Sequence, residues 1–261
     1  MEWKDTGLIL GVRKHGETSA IIEVMTEHHG RHLGLVRGGR SSRMRPLLQP
    51  GNSVSLVWRA RLEEHLGMFQ AEAEELRAAR LMETPLGIHG LQTLAAHLRL
   101  LPERDGHQGL YRAALVLLDH FDEPQKAARL MIRFELALLE ELGFGLDLER
   151  CASTGQRHDL AYVSPKSGRA VSREAGTPWH DRMLALPYFL QRETASPAPS
   201  SSLEEQLQAG FALTRYFLDR DVYMPRGIEA PDTREGFIKR ILKSVMVGSD
   251  ATGELETGHG R

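Results

Sequence analysis

The hydrophobic period of this chain changes once, near Arg80, and that change limits the folds open to it. Before it, short apolar or alternating runs recur at 8–12, 20–25, 32–36, 53–58 and 67–73. Runs of that length with a period near two, separated by turn signals such as His15-Gly16-Glu17, Glu27-His-His-Gly30 and Pro50-Gly51-Asn52, read as five strands. A long irregular connection joins the third to the fourth. Five short strands must hide their edges, and a small closed barrel of the OB type does so better than an open sheet. After Arg80 the period is about 3.6. The spacing predicts helices over 86–101, 110–121 and 125–142, the last closed by Gly143-Phe144-Gly145. Leu130, Phe134, Leu138 and Leu142 form its expected core stripe, with Arg129 and Arg133 on a neighbouring face.

Residues 147–176 break the helical pattern and read as two short strands with turns, a small insertion between helices. Thr177-Pro178 supplies a cap and a first-turn proline for a helix to about Gln191. Residues 194–202, rich in Ser, Pro and Ala, read as a flexible connection. A helix over 203–219 follows. A last helix follows the capping-box pattern Asp232-Thr-Arg-Glu235, and the glycine-rich tail from Gly248 is expected to be disordered. The expected fold class is α+β and multidomain: a barrel over 1–80, a helical domain over 81–150, an insertion over 151–176, completing helices over 177–247 and a tail over 248–261.

Charge is the second constraint. Residues 28–62 hold seven arginines, Arg31, Arg37, Arg40, Arg43, Arg45, Arg59 and Arg61, and no Asp or Glu. The whole chain carries 33 basic and 35 acidic residues, so attraction for a polyanion has to be local. Within Arg37-Gly-Gly-Arg-Ser-Ser-Arg-Met-Arg45, four guanidinium forks alternate with glycines and small hydroxyls, the chemistry suited to phosphate contact. A solvated surface loop explains the charge alone equally well. Arg13 and Lys14, with Arg59 and Arg61, extend the basic set along neighbouring strands. Trp3, Trp58 and Phe69 are the stacking candidates there, Trp58 and Phe69 reading better as core.

Several constellations are weaker than they look. His28, His29 and His32 sit at a turn and read as scattered surface polarity rather than a metal cluster. Cys151 with His158 lacks an oxyanion hole and, Asp159 apart, an orienting acid, so nucleophilic catalysis is disfavoured. Lys166-Ser-Gly168 lacks the glycine-rich turn of a phosphate loop. There is no apolar run of membrane-spanning length and no secretory pattern at Met1, and one cysteine excludes an internal disulfide, which together lead to the expectation of a cytosolic chain.

In order along the chain, Gly7-Leu-Ile-Leu10, Gly16-Glu-Thr-Ser19, Val24-Met-Thr26, Leu35-Val-Arg-Gly-Gly39, Leu47-Leu-Gln-Pro50, Arg133-Phe-Glu-Leu-Ala-Leu-Leu-Glu-Glu-Leu-Gly-Phe-Gly145 and Thr233-Arg-Glu-Gly-Phe237 resemble the RecO family of bacterial DNA repair and recombination proteins. The resemblance implies an OB barrel, a helical domain and a zinc-knuckle-like insertion. It also implies a non-enzymatic mediator in the cytoplasm at the nucleoid, binding single- and double-stranded DNA and annealing complementary strands. The implied partners are RecR and the C-terminal tail of single-stranded-DNA-binding protein, with RecA loaded as the outcome. Arg129 and Arg133, beside an apolar face, suit that acidic, apolar-ended tail; ion pairs to Glu135, Glu140 or an acid on another helix are the competing explanation. Metal-bearing relatives have two Cys pairs in the insertion, where this chain has Cys151-Ala-Ser-Thr154 and Ser172-Arg-Glu-Ala175. With only Cys151 left of four ligands, the expectation is no zinc and no other cofactor. An OB-type RNA-binding or translation-associated factor is the alternative function.

Overall fold

The computed structural model describes residues 1–191 and 201–253, with side chains of the last helix described to Met246. The chain forms two compact units, Met1–Asp122 and Glu123–Arg261.

In the first unit, β1 (Glu2–His15), β2 (Ser19–Thr26), β3 (Gly30–Val36), β4 (Ser53–Arg59) and β5 (Met68–Glu75) close a barrel in the order β1-β2-β3-β5-β4. All five expected strands form. β1 is longer than its apolar run because it serves two neighbours, pairing with β4 through Glu2–Leu8 and with β2 through Gly7–His15, with a register shift between Ile9 and Gly11. Alternation along β3 turns Gly30, His32, Gly34 and Val36 inward. Two glycines are fixed by the aromatic core: a Cβ on Gly34 would stand 2.3 Å from the Phe69 ring, and one on Gly67, at φ +68°, 2.2 Å from the Trp58 ring. Closure is thin, a single parallel pair between Leu35 and Met68.

Ile9, Ile22, Val24, Val36, Val54, Leu56, Trp58 and Phe69 fill the interior. Leu8, Leu10 and Met25 on the strands flanking it are also buried. Leu10 shares a small pocket with Leu81, Leu91 and Ala95, residues of α1 (Ala78–Met82) and α2 (Pro85–Leu98). With α3 (Gln108–Leu118), these helices belong to the barrel's unit. The change from strand to helix at Ala78 therefore does not coincide with the division between units. Arg77, Asn52 and Tyr111 stitch the helices down: Arg77 donates to Ser53 and Asp119, Asn52 Oδ1 accepts the Ala78 amide, and the Tyr111 and Thr6 hydroxyls lie 3.2 Å apart.

The second unit is built on α4 (Pro124–Glu141), α6 (Leu203–Leu218) and α8 (Asp232–Gly253). β6 (Leu160–Val163) lies between β7 (Ala170–Ser172) and β8 (Leu184–Ala185) in a three-stranded sheet. The short helices α5 (Arg173–Gly176) and α7 (Met224–Arg226) and a wide turn at Asp219–Tyr223 complete it. Four expectations are corrected here. The stripe of α4 is rotated: Ala127, Ala128, Met131, Ile132, Phe134, Glu135, Leu138 and Leu139 are buried, whereas Leu130 and Leu142 lie at its edge. The helix expected from Thr177 to Gln191 is cut to a 3-10 helix over Thr177–Arg182, because Leu184–Ala185 is drawn into the sheet against Tyr162 and Val163 and Pro187 has no N–H with which to continue it. The third strand of the insertion was not foreseen. Finally, α8 runs on to Gly253, through the start of the expected disordered tail. The rest of that tail, and most of the flexible connection expected at 194–202, lie outside the described residues.

Candidate nucleic-acid interface

The connection from β3 to β4 is amphipathic in three dimensions. Met44, Leu47 and the buried Leu48 pack on the barrel core, closing one end. Backbone bonds fix its turns: Gly39 N–H donates to Val36, Arg40 N–H to Thr18, Arg45 N–H to Ser41 and Leu48 N–H to Met44. Asn52 Nδ2 gathers the carbonyls of Pro46 and Leu47, and Gly51 and Asn52 exchange hydrogen bonds with Ile9. The apolar side is thus a plug, and Arg37, Arg40, Arg43 and Arg45 all stand exposed on its outer side.

None of these four is spent on an acid. Among the described residues Arg37, Arg43, Arg45, Arg13, Lys14 and Arg61 form no ion pair, and Arg40 makes only a hydrogen bond to the Gly16 carbonyl, 2.8 Å. Arg40, Arg45 and Lys14 line one cleft of about 410 Å³ with Val12, Gln49 and Pro50, and no acidic residue lines it. Three cations around one opening, with no acidic residue among those that line it, give that opening a positive field.

The other basic residues divide. Arg13 lines a second cleft with Arg31, Arg99, Glu23 and Glu103. There Arg31 donates to Glu23 (3.0 Å) and Glu103 (3.3 Å), and Arg99 to Glu23 (2.8 Å), so Arg31 is structural. Arg99 was invisible as part of this surface, being a lone cation on a helix. Arg59 holds Glu2 with two bonds, 2.8 and 3.2 Å, and is the one predicted contact residue tied to a carboxylate. Strand register puts Arg59, Met68, Leu35, Ile21 and Arg13 in one cross-strand row. The expected extension along neighbouring strands is therefore a line about 19 Å long around the barrel wall, four steps of about 4.8 Å, rather than a cluster.

The histidines are corrected as well. His28 and His29 both bond Asp5, Nδ1 to carboxylate at 3.0 and 2.8 Å, and their amides donate to it too. Burial opposes ionisation of Asp5, but these bonds hold its pKa down to about 2. His32 is not surface at all: it is buried between Trp3 and Trp58, and burial depresses its pKa to about 4. Trp58 and Phe69 are core, as expected.

In the second unit, Arg133 donates to the Phe189 carbonyl (2.8 Å) and the Arg129 guanidinium lies 5.7 Å over the Phe189 ring. Neither forms an ion pair among the described residues. Glu135, one of the acids named in the competing explanation, is buried instead against Arg234. Arg129 also lines a cleft of about 460 Å³ with Pro124, Gln125, Lys126 and Ser244, where Lys126 is paired to Glu123. Two other basic residues of this unit are taken up internally: Arg234 is buried against Glu135, and Arg215 is paired with Asp219 and Glu235.

The insertion is held without thiolate pairs. Buried Cys151 Sγ accepts the Ser172 amide at 3.2 Å and lies 3.4 Å from the Ser172 hydroxyl. Burial raises the thiol pKa, and hydrogen bonds from Ser172 and Thr154 outweigh it, bringing it to about 6. Thr154 and Ser172 offer Cys151 hydroxyls, which are not the soft or imidazole ligands that structural zinc takes. His158 is exposed. Among the described residues no helix is long and apolar enough to cross a membrane.

Residues 1–76 match the family model for the N-terminal domain of recombination protein O, and residues 96–227 the model for its C-terminal domain. The chain belongs to the RecO family. It is 63% identical over 243 residues to the DNA repair protein RecO of Mesorhizobium japonicum, covering 93% of this chain and 94% of that one. It is 57% identical to that of a Chelativorans species (96% and 100% covered) and 60% identical to that of Rhizobium etli (95% and 96%). The match to the RecO N-terminal model spans the five barrel strands, and the exposed arginines lie within it.

Proposed function

We propose that this RecO-family chain is a DNA repair and recombination mediator. It binds single- and double-stranded DNA through Arg37, Arg40, Arg43 and Arg45, with Arg13, Lys14 and Arg61 along the barrel wall and Arg59 joining when Glu2 releases it. It anneals complementary strands by neutralising two backbones on one surface, and no bond is made or broken. With RecR it loads RecA onto strands coated by single-stranded-DNA-binding protein, whose acidic tail docks at Arg129 and Arg133. It works in the cytoplasm, at the nucleoid, without zinc or another cofactor.

One observation carries the reading: four exposed guanidinium groups without acidic partners, mounted on a segment that the barrel core holds still. Preorganised forks bind phosphate without first being ordered. Contact with the backbone dominates, so affinity for an oligonucleotide falls as a power of salt. Four to six phosphate contacts give a log–log slope of roughly −3 to −4 for a single strand. Replacing Arg37, Arg40, Arg43 and Arg45 together by Ala flattens that slope and abolishes annealing, whereas Arg31→Ala leaves the slope as it was. Titration of a fluorescent oligonucleotide across salt concentrations tests this, and a quadruple variant with an unaltered slope refutes it. Equal annealing of RNA and DNA of one sequence would point instead to an RNA-binding factor.

A further inference from the structure

Three rings are stacked from the barrel core to its surface. Trp58, 1% exposed, lies 5.5 Å from Trp3 with the planes 16° apart, and Trp3 lies 4.2 Å from His29 with the planes 7° apart. His32 and Phe69 abut Trp3 edge-on, at 5.1 and 5.9 Å, and keep the Trp3 ring from tilting. The outermost ring is fixed as firmly. His29 Nδ1 donates to Asp5 Oδ2, and the His29 amide donates to Asp5 and to Thr26 Oγ1. One face of the imidazole is covered by Trp3, yet the His29 side chain is 36% exposed. The accessible part is the other face and its edge.

A flat ring held in place, more than a third exposed and ending a pile of parallel rings, is a site for one more flat ring. Cations flank the stack in sequence: Lys4 follows Trp3, and Arg59 and Arg61 follow Trp58; among the described residues Lys4 and Arg61 form no ion pair. We propose that His29 stacks an unpaired nucleobase of a bound single strand, as the fourth tier on Trp58, Trp3 and His29. This rests on the polyanion-binding reading above and adds to it a contact that duplex DNA, with its bases already stacked, does not make. Base stacking on a protein ring tolerates every base, so the site adds affinity for single strands without sequence preference.

The test compares oligothymidylate with an abasic deoxyribose-phosphate chain of the same length, titrated against the full-length protein. Oligothymidylate is expected to bind roughly tenfold more tightly. His29→Ala closes that gap and His29→Phe preserves it, with thermal melting of both variants confirming the fold. A gap that survives in His29→Ala, or equal binding of the two chains by the unaltered protein, overturns the stacking site while leaving the polyanion reading intact. If neither chain binds, the polyanion reading falls and the stacking site with it.

Discussion

His32 and Arg234 are polar residues at positions where the fold tolerates no polar solvent, and each has a measurable consequence. The His32 imidazole sits between two tryptophans with Nδ1 unpartnered. The unfolded chain takes up its proton near the ordinary value of 6.5, whereas burial, with Arg104 and His29 adding repulsion, holds the folded value to about 4. Stability therefore falls as pH drops through that window, by up to about 3 kcal/mol. His28 acts in the opposite sense, since its bond to Asp5 raises its pKa and contributes stability that fades as pH rises. Asp5 loses its own contribution only below its ordinary 3.8, towards 2. The difference in melting temperature between His32→Phe and the unaltered protein should thus widen from pH 7 to pH 4, and a constant difference would show that His32 does not titrate there. Arg234 is 1% exposed and donates to both Glu135 oxygens (2.7 and 2.9 Å), to Thr214 Oγ1 and to the Phe211 carbonyl. Removing one partner strands a buried charge, so Arg234→Met should cost about 3–5 kcal/mol in urea unfolding. Replacing Glu135 by Leu as well should recover much of that loss.

At the scale of elements, the insertion is held by hydrogen bonds around one thiol and by apolar packing. Cys151, Thr154 and Ser172 meet through hydrogen bonds, and Leu160, Val163 and Val171 supply apolar burial. Metal analysis of the purified protein should find no stoichiometric zinc, and Cys151→Ala should cost about 1–2 kcal/mol through two lost hydrogen bonds. A full equivalent of zinc that disappears in Cys151→Ser would overturn this. Much of the element order was readable because periodicity survives tertiary packing: β1–β5, α2–α4 and α6 fall where their apolar spacing says. Residues 177–191 were not readable, since Thr177-Pro178 is a sound helix start and only the sheet edge waiting at Tyr162 decides otherwise. The arginine connection was legible as charge but not as structure. Met44, Leu47 and Leu48 have the i, i+3, i+4 spacing of one helical turn, but a run this short, broken by Pro46, does not say what that face packs on, so its anchoring role depends on the barrel core beneath it. Likewise nothing in a His-His pair at a turn says that one ring will extend a tryptophan stack.

At the scale of the molecule, charge is balanced within each unit rather than between them. Met1–Asp122 holds fifteen basic and fifteen acidic residues, and Glu123–Arg261 eighteen and twenty. Neither unit attracts polyanions as a whole, so the binding proposed above has to come from where acids are withheld: Arg37–Arg45 in one unit, Arg129 and Arg133 in the other. The two surfaces also differ in what they offer. The first is a run of bare guanidinium groups for a repeating phosphate chain; the second pairs two cations with the Phe189 ring and carbonyl, suited to a peptide with both acid and apolar ends. Since the two sets share no residue and belong to separate compact units, their variants should act independently. Arg133→Glu is expected to weaken binding of the coating protein's tail peptide about tenfold or more, by placing an acid against an acidic ligand, with unchanged melting temperature and unchanged oligonucleotide affinity. The quadruple arginine variant should show the reverse pattern. Isothermal titration of both variants with both ligands decides the matter: if Arg133→Glu also lowers oligonucleotide affinity, the helical unit carries part of the DNA surface, and if tail binding is unchanged, Arg133 is no part of the docking site.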